Sequence, residues 1–343
     1  MDKRVILAVA GAGKTTLIID SLCLERRALI VTYTDNNHKH LKQAVVKKFG
    51  FIPDNITVLT YFTFLYSFCY KPFLHDRVRA RGINWDKPPS HTLTLKRSKQ
   101  SFYIDSTRRL YYNRIAKLIK QQKIVDKITS RLSKYFDQFF VDEVQDFGGH
   151  DFNLLLDLCS SDIEVNLVGD FYQHTFDTSR DGNLNSGLYK DYETYKNKFR
   201  TVGIIPDETT LSNSYRCSPQ VCDFITKRLG INISSHKKED SIVKRLDKTQ
   251  LLEKYDCNKT VKLFFEEQGK YDCFSENWGK SKGQDHYNDV CVMLYKKAAL
   301  AFNNEQLCEK LPASSRNKLY VACTRANNNL YFAEEKWVLH LKS

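Results

Sequence analysis

Residues 8–15 are Ala-Val-Ala-Gly-Ala-Gly-Lys-Thr, and this stretch decides the fold class. It departs from the pattern G-x-x-x-x-G-K-[ST] only at Ala8, which stands where the first glycine is usual. Small residues let backbone N–H groups close around phosphates, while Lys14 reaches the outer phosphates and the Thr15 hydroxyl ligates Mg²⁺. We therefore predict a buried strand over 5–9, a helix over 15–24, and between them a phosphate-binding loop made of Ala10, Gly11, Ala12, Gly13, Lys14, Thr15 and Thr16.

Two alternatives for the same stretch are a plain strand–turn–helix and a secretory signal. Lys3 and Arg4 precede an apolar run, but residues 5–10 supply only six apolar residues before the glycines, fewer than the ~7–15 that export needs. The ten cysteines are scattered without a CxxC pair, which favours reduced thiols. No stretch approaches the ~18 apolar residues of a membrane span. We therefore expect a cytoplasmic protein with no membrane partner.

The net charge of +13 is concentrated in one segment of the 343-residue chain. Residues 71–135 contain seventeen Lys or Arg and four Asp or Glu residues, so the remainder is neutral overall. A local basic surface indicates a polyanion partner, most often nucleic acid, and a solvated helical face is the alternative. Apolar residues recur at helical spacing over 110–136. The candidate phosphate contacts are Arg108, Arg109, Arg114 and Lys117.

A second predicted strand ends in paired carboxylates. Phe139, Phe140 and Val141 lead directly into Asp142 and Glu143. The carboxyl ends of strands in α/β sheets are where ligands bind. There one carboxylate can hold Mg²⁺ and the next can orient and deprotonate an attacking water. An ordinary exposed acidic pair is the alternative, but together with the Gly-Lys-Thr loop the pair predicts a nucleotide hydrolase that uses ATP and Mg²⁺.

Further motifs follow in a fixed order, and the whole set resembles the UvrD/Rep/PcrA-like superfamily 1 helicases. The motifs are VTYT (31–34), TYFTF (60–64), DEVQD (142–146), LVGDFYQ (167–173), LSNSYR (211–216), SKGQD (281–285) and LYVACTRA (319–326). The resemblance implies an α/β fold with two RecA-like P-loop NTPase domains, each a parallel sheet flanked by helices. The first domain comprises residues 1–70 and 136–206, with a basic, partly helical insertion at 71–135. The second comprises 207–343.

The resemblance also implies roles for residues outside the phosphate loop. Lys14, Asp142 and Glu143 keep the roles given above. Gln173 senses the γ-phosphate, Tyr215 stacks on adenine, and Asp285 stands where a glutamate commonly contacts ribose. Arg216 and Arg325 neutralise charge that develops on the transferred phosphoryl group. The expected contacts to single-stranded DNA are Tyr33, Thr60, Phe62, Phe64 and Phe176.

The sequence departs from the family pattern in ways that bear on function. The upstream glutamine segment that selects adenine is missing, and only 64 residues separate Arg216 from Ser281, too few for a large mobile subdomain. Ser214 replaces the usual Asn, and Phe62 a usual His. We expect an ATP-dependent translocase on single-stranded or tailed DNA that is a 3′–5′ helicase. A nucleotide-controlled switch, or a subunit that needs a protein partner, is the alternative, and RNA remains open beside DNA.

Overall fold

The structure is a computed structural model that describes residues 2–175 and 181–342. Within that part the chain forms two compact units. Unit 1 comprises residues 2–6, 14–169 and 181–207. Unit 2 comprises residues 7–13, 170–175 and 208–342, so that most of the predicted phosphate loop belongs to it. The domain limits predicted from the sequence remain a proposal.

Unit 1 is built around a six-stranded sheet with the order β3-β2-β6-β7-β1-β8. The pairs β2–β3, β2–β6, β6–β7 and β1–β8 are parallel. Every residue of β2 and β6 is buried, as expected for parallel strands covered on both faces by helices. The strands of unit 1 are β1 (Lys3–Leu7), β2 (Ala28–Thr32), β3 (Ile56–Thr60), β4 (Gly82–Asn84), β5 (Arg109–Tyr111), β6 (Gln138–Asp142), β7 (Glu164–Gly169) and β8 (Ile205–Asp207).

The helices of unit 1 begin with the one that follows the phosphate loop. This first helix is shorter than predicted and ends at Asp20 rather than Leu24. The chain over 61–78 is continuously helical, and its middle part, Phe64–Tyr70, is π-helical. The helices are α1 (Lys14–Asp20), α2 (Asp35–Phe49), α3 (Tyr61–Thr63), α4 (Lys71–Val78), α5 (Ile115–Gln121), α6 (Val125–Tyr135), α7 (Gly149–Leu158) and α8 (Tyr192–Arg200).

The basic segment 71–135 folds into helices and one small sheet. Its strands β4 and β5 form a parallel pair in which Asn84 lies beside Tyr111. The helical spacing predicted over 110–136 is realised as two helices, because Lys123 takes a left-handed conformation (φ 52°) between α5 and α6. Short 3-10 turns connect the remaining parts.

Unit 2 contains a five-stranded sheet with the order β11-β15-β14-β12-β13, in which all pairs are parallel. The strands β12 and β15 are buried along their whole length. The elements are β9 (Asn213–Ser214), α9 (Pro219–Leu229), β10 (Ser234–Ser235), β11 (Val243–Arg245), α10 (Lys248–Tyr255), β12 (Thr260–Phe264), β13 (Ser275–Asn277), β14 (Asp289–Leu294), α11 (Lys296–Asn303), α12 (Leu307–Lys310), α13 (Ala313–Cys323) and β15 (Leu330–Glu334).

These sheets confirm the predicted α/β fold class with parallel sheets flanked by helices. None of the described helices combines the length and apolarity needed to cross a lipid bilayer.

Candidate functional site

In unit 1, the lysine of the phosphate loop lies beside the predicted catalytic carboxylate. Lys14 is the first residue of α1, and its Nζ is 3.7 Å from Oε1 of Glu143. Glu143 follows the last residue of β6 and takes a left-handed conformation (φ 56°) that turns the chain away from the sheet. The side-chain amide of Gln145 donates a hydrogen bond to Oε2 of Glu143. Gln145 thus holds the carboxylate from within the same DEVQD motif, a role that the sequence analysis did not assign.

Asp142 and Thr15 are the predicted magnesium ligands, and both lie in unit 1. Asp142 is the last residue of β6 and is buried, while Thr15 is the second residue of α1. A carboxylate and a hydroxyl are hard oxygen donors of the kind that Mg²⁺ prefers. Among the described residues, no group of three or more His, Cys, Asp or Glu side chains could hold a metal. The donor set therefore fits a magnesium ion that takes its other ligands from nucleotide and water.

In unit 2, the loop backbone packs closely against the residues around Arg216. Gly11 has a positive φ of 71°, and a Cβ placed on it would lie 2.6 Å from Cβ of Arg216 and 2.9 Å from Oγ of Ser214. The backbone N–H of Tyr215 donates to the carbonyl of Gly11 at 2.9 Å. Ser214 also accepts hydrogen bonds from the N–H groups of Arg216 and Cys217. The small serine in place of asparagine is therefore part of a tight turn that glycine allows.

A buried tyrosine connects the phosphate loop to two further motifs. The hydroxyl of Tyr320 accepts a hydrogen bond from the N–H of Ala10 at 2.9 Å and donates one to Oδ2 of Asp170 at 3.0 Å. Burial and the nearby Asp170 carboxylate hold the pKa of Tyr320 well above its ordinary value, so the hydroxyl keeps its proton. Tyr320 lies within the LYVACTRA motif, yet its link to the loop was not predicted, because the two are 310 residues apart.

The two predicted arginines of unit 2 share one carboxylate oxygen. Oδ1 of Asp285 is 2.6 Å from Nη2 of Arg216 and 2.9 Å from Nη1 of Arg325. Burial, followed by the charge of Arg216, lowers the pKa of Arg325 to about 10, so the guanidinium remains protonated at neutral pH. The structure thus pairs Asp285 with the arginines, and its expected contact to ribose stays a prediction.

The predicted adenine-stacking residue has a partner on one side. The ring of Tyr215 is stacked on that of His236 with 4.0 Å between centroids and 12° between planes, while 62% of Tyr215 remains exposed. His236 is a residue that sequence reasoning missed. Gln173 is buried at the end of the short turn Phe171–Gln173, which also belongs to unit 2.

The predicted nucleic-acid residues from the conserved-type motifs are not equally accessible. Phe64 is buried and stacked on Phe68, so the structure corrects its assignment as a base contact. Phe62 is only 8% exposed. Tyr33 is half-buried and packs edge-on against Phe62, and Thr60 caps α3 by accepting a hydrogen bond from Thr63. Phe176 lies outside the described residues.

Of the four basic residues predicted to grip phosphates, the structure leaves one well exposed. Arg114 is 1% exposed and Lys117 is also buried, and both form ion pairs with Asp181. The guanidinium of Arg108 donates to the backbone carbonyl of Arg79 at 3.1 Å. Arg109 is exposed. The prediction is therefore corrected for Arg114 and Lys117, because these side chains are inside the folded segment.

Comparisons with known proteins agree with this architecture. A family model with the description "Viral superfamily 1 RNA helicase core domain" matches residues 92–334. The structure of arterivirus nonstructural protein 10 (helicase) with DNA is similar with 14% identity and a TM-score of 0.52, covering 99% of this chain and 63% of that one. The same arterivirus helicase in a second crystal structure gives 14%, 0.50, 99% and 62%. The PRRSV helicase gives 15%, 0.49, 98% and 53%.

The chain thus spans 53–63% of the length of these solved helicases. At such low identity the likeness concerns the fold, which agrees with two RecA-like helicase domains. No curated protein matches the sequence.

Proposed function

Since the chain belongs to the viral superfamily 1 RNA helicase core family, we propose that it is a motor that hydrolyses ATP and moves along a single strand of nucleic acid. Family membership confirms superfamily 1 and the helicase-type, ATP-hydrolysing class predicted from the motifs. The viral family is a different branch of the superfamily from the UvrD/Rep/PcrA-like proteins. Membership in that other branch rests on the motif spellings alone and is proposed only together with the polarity discussed below.

One observation carries the proposal. Unit 2 holds Arg216 and Arg325 on a single oxygen of Asp285, and the same unit contains the loop residue Gly11, against which Arg216 packs. Two guanidinium groups beside a loop of the phosphate-binding type are suited to neutralise charge on a phosphoryl group in the transition state. Surface arginines that served only solubility would not need a glycine without a Cβ in order to come this close.

The residues of unit 1 supply the chemistry of hydrolysis in this proposal. Lys14 contacts the outer phosphates, and Glu143 accepts the proton of the attacking water while Gln145 keeps its carboxylate in place. Thr15 and Asp142 would hold Mg²⁺, which when bound supplies positive charge to the phosphate oxygens.

The residues of unit 2 bind and sense the nucleotide. The exposed face of Tyr215, supported from behind by His236, stacks on the base, and Gln173 responds to the γ-phosphate. The domain assignment proposed from the sequence, with the limits given above, attributes these roles to the first and second RecA-like domains.

The assignment of the catalytic base is tested with two substitutions. Lys14→Ala and Glu143→Gln should both reduce phosphate release, by about 100- to 10,000-fold for loss of the base. Glu143→Gln should still bind ATP and nucleic acid, because only the proton acceptor is removed. The exposed Glu253→Gln on α10 is the matched control. Normal turnover by Glu143→Gln would overturn the assignment.

The polymer and the direction of movement are further parts of the proposal. A DNA substrate is supported by the arterivirus helicase, which was solved with DNA, whereas the family description names an RNA helicase. We propose movement in the 3′–5′ direction along single-stranded DNA. Strand displacement should be measured on 3′-tailed, 5′-tailed and blunt duplexes of both polymers. Displacement from 5′ tails only would refute the polarity and with it the UvrD-like branch.

A second candidate function is a nucleotide-controlled switch or a subunit of a larger complex. It is favoured by the length of the chain, which covers only 53–63% of the solved helicases. Steady-state phosphate release with and without single-stranded nucleic acid separates the two. Strong stimulation supports the motor, and tight ATP-dependent binding with negligible release supports the switch.

A further inference from the structure

Unit 1 contains a cluster of aromatic rings with one strongly exposed member. Tyr33, Tyr61, Phe62 and Phe147 pack together with ring centroids 4.7–5.8 Å apart. Trp85, from the basic segment 71–135, covers this cluster with its indole 4.8 Å from the ring of Phe62 at a steep angle. Trp85 is 61% exposed, whereas Phe62 beneath it is 8% exposed. The surface that motif residues were expected to present is thus provided by Trp85.

Trp85 is held by a well-bonded support. It directly follows β4, which pairs with β5, and its ring is stacked at 6.1 Å and 29° against Tyr112. The Asn84 side-chain amide donates to Asp105 at 2.7 Å, and the N–H of Asp86 donates to Oδ1 of Asn84 at 2.8 Å. Because the residues on both sides of the indole are hydrogen-bonded, little conformational entropy is lost when a planar ligand stacks on it.

The charge around Trp85 determines which ligand fits. Arg81 and Lys87 flank it in sequence and are exposed, and Arg109 on the paired strand β5 is exposed as well. Exposed aromatic rings set among cations are the arrangement that binds unpaired nucleic-acid strands, because bases stack on the ring while cations contact phosphates. An apolar protein partner would not make use of this charge.

We propose that Trp85 is a stacking platform for an unpaired base of a single-stranded polynucleotide, with Phe62 and Tyr112 as its support. The inference deepens the proposed function and rests on it. It also gives a physical reason for Phe62 at the position where the family commonly has histidine, because an apolar ring there packs against the indole. The shared chemistry is the base, so DNA and RNA strands are both admitted.

The test uses the fluorescence of Trp85 and two substitutions. In a Trp337→Phe background the remaining tryptophans are Trp85 and the fully buried Trp278, so quenching by an added strand reports on Trp85. We expect oligo-dT or oligo-U to quench the emission. Trp85→Ala should weaken binding of the strand by roughly 5- to 100-fold, and Trp85→Phe should restore most of it.

The matched control is Leu93→Ala, which removes another exposed apolar side chain (66% exposed) from the same segment and should leave strand affinity unchanged. ATP hydrolysis without nucleic acid should be the same in all four proteins, since Trp85 is remote in role from the nucleotide. Wild-type affinity in Trp85→Ala overturns this inference alone. Failure of the wild-type chain to bind either strand overturns the proposed function as well, and comparing oligo-dT with oligo-U distinguishes the polymers.

Discussion

At the scale of single residues, Gly11 shows what could be predicted from the sequence and what could not. The loop pattern predicted small residues because backbone must approach phosphate. The structure adds that the backbone also approaches Arg216 and Ser214, with no room for a Cβ. That second constraint comes from a segment about 200 residues away, so a local pattern could not contain it.

Replacing Gly11 with alanine tests this close approach. We expect Gly11→Ala to abolish nucleotide binding or weaken it at least tenfold, because the new Cβ would overlap with Arg216 and the positive φ adds roughly 1 kcal/mol of strain. Gly203→Ala is the control, since Gly203 also has a positive φ but has open space where its Cβ would lie. Isothermal titration with a non-hydrolysable ATP analogue measures both. Equal losses in the two variants would show that backbone strain alone is responsible.

His150 makes a residue-scale prediction about pH. Burial, followed by the charge of Lys117, lowers the pKa of His150 to about 4, whereas the unfolded chain titrates near 6.5. The unfolded state therefore binds more protons between these values, and stability falls as the pH drops from 6.5 to 4. We expect His150→Gln to show a smaller decrease in Tm over this window. An identical pH profile for the variant and the wild type would contradict the assignment.

At the scale of structural elements, the segment 71–135 was predicted correctly as basic and partly helical, but its charges were not sorted correctly. Helical spacing identifies an apolar face, yet it cannot tell which cations at the edge of that face turn inward. Asp181 decides this for Arg114 and Lys117, and it lies more than 60 residues further along the chain. Long side chains of this kind are buried only when a distant carboxylate is available.

A pair of arginine substitutions within this segment separates structural from binding roles. Arg114→Ala should destabilise the fold by about 3–5 kcal/mol, because it removes a fully buried partner of Asp181. Arg109→Ala should change stability by less than about 0.5 kcal/mol and weaken nucleic-acid binding instead. Urea unfolding and fluorescence anisotropy of a labelled strand provide the two measurements. A stable Arg114→Ala protein with weakened strand binding would reverse our assignment.

At the scale of the whole molecule, the fold class and most nucleotide-site residues could be predicted from the sequence, because each motif lies at the end of a strand or the start of a helix. Asp142 at the end of β6 and Lys14 at the start of α1 are examples. The relations between distant motifs could not be predicted. The bond from Ala10 to Tyr320 and the covering of Phe62 by Trp85 both depend on tertiary packing.

The carboxylate that Asp285 offers to Arg216 and Arg325 has a consequence for how the two ligands respond to electrolyte. A phosphate arriving at these guanidinium groups exchanges one bound anion for another, so few mobile ions are released and ATP affinity should change little with KCl. A polynucleotide at the exposed cations of 71–135 releases condensed counterions, with a log–log slope of about −0.7 per phosphate contact. Titrations of both ligands across KCl concentrations measure the contrast, and Asp285→Asn should make ATP binding salt-sensitive too. Ionic strength would then act on the grip on the strand while leaving the fuel supply almost untouched.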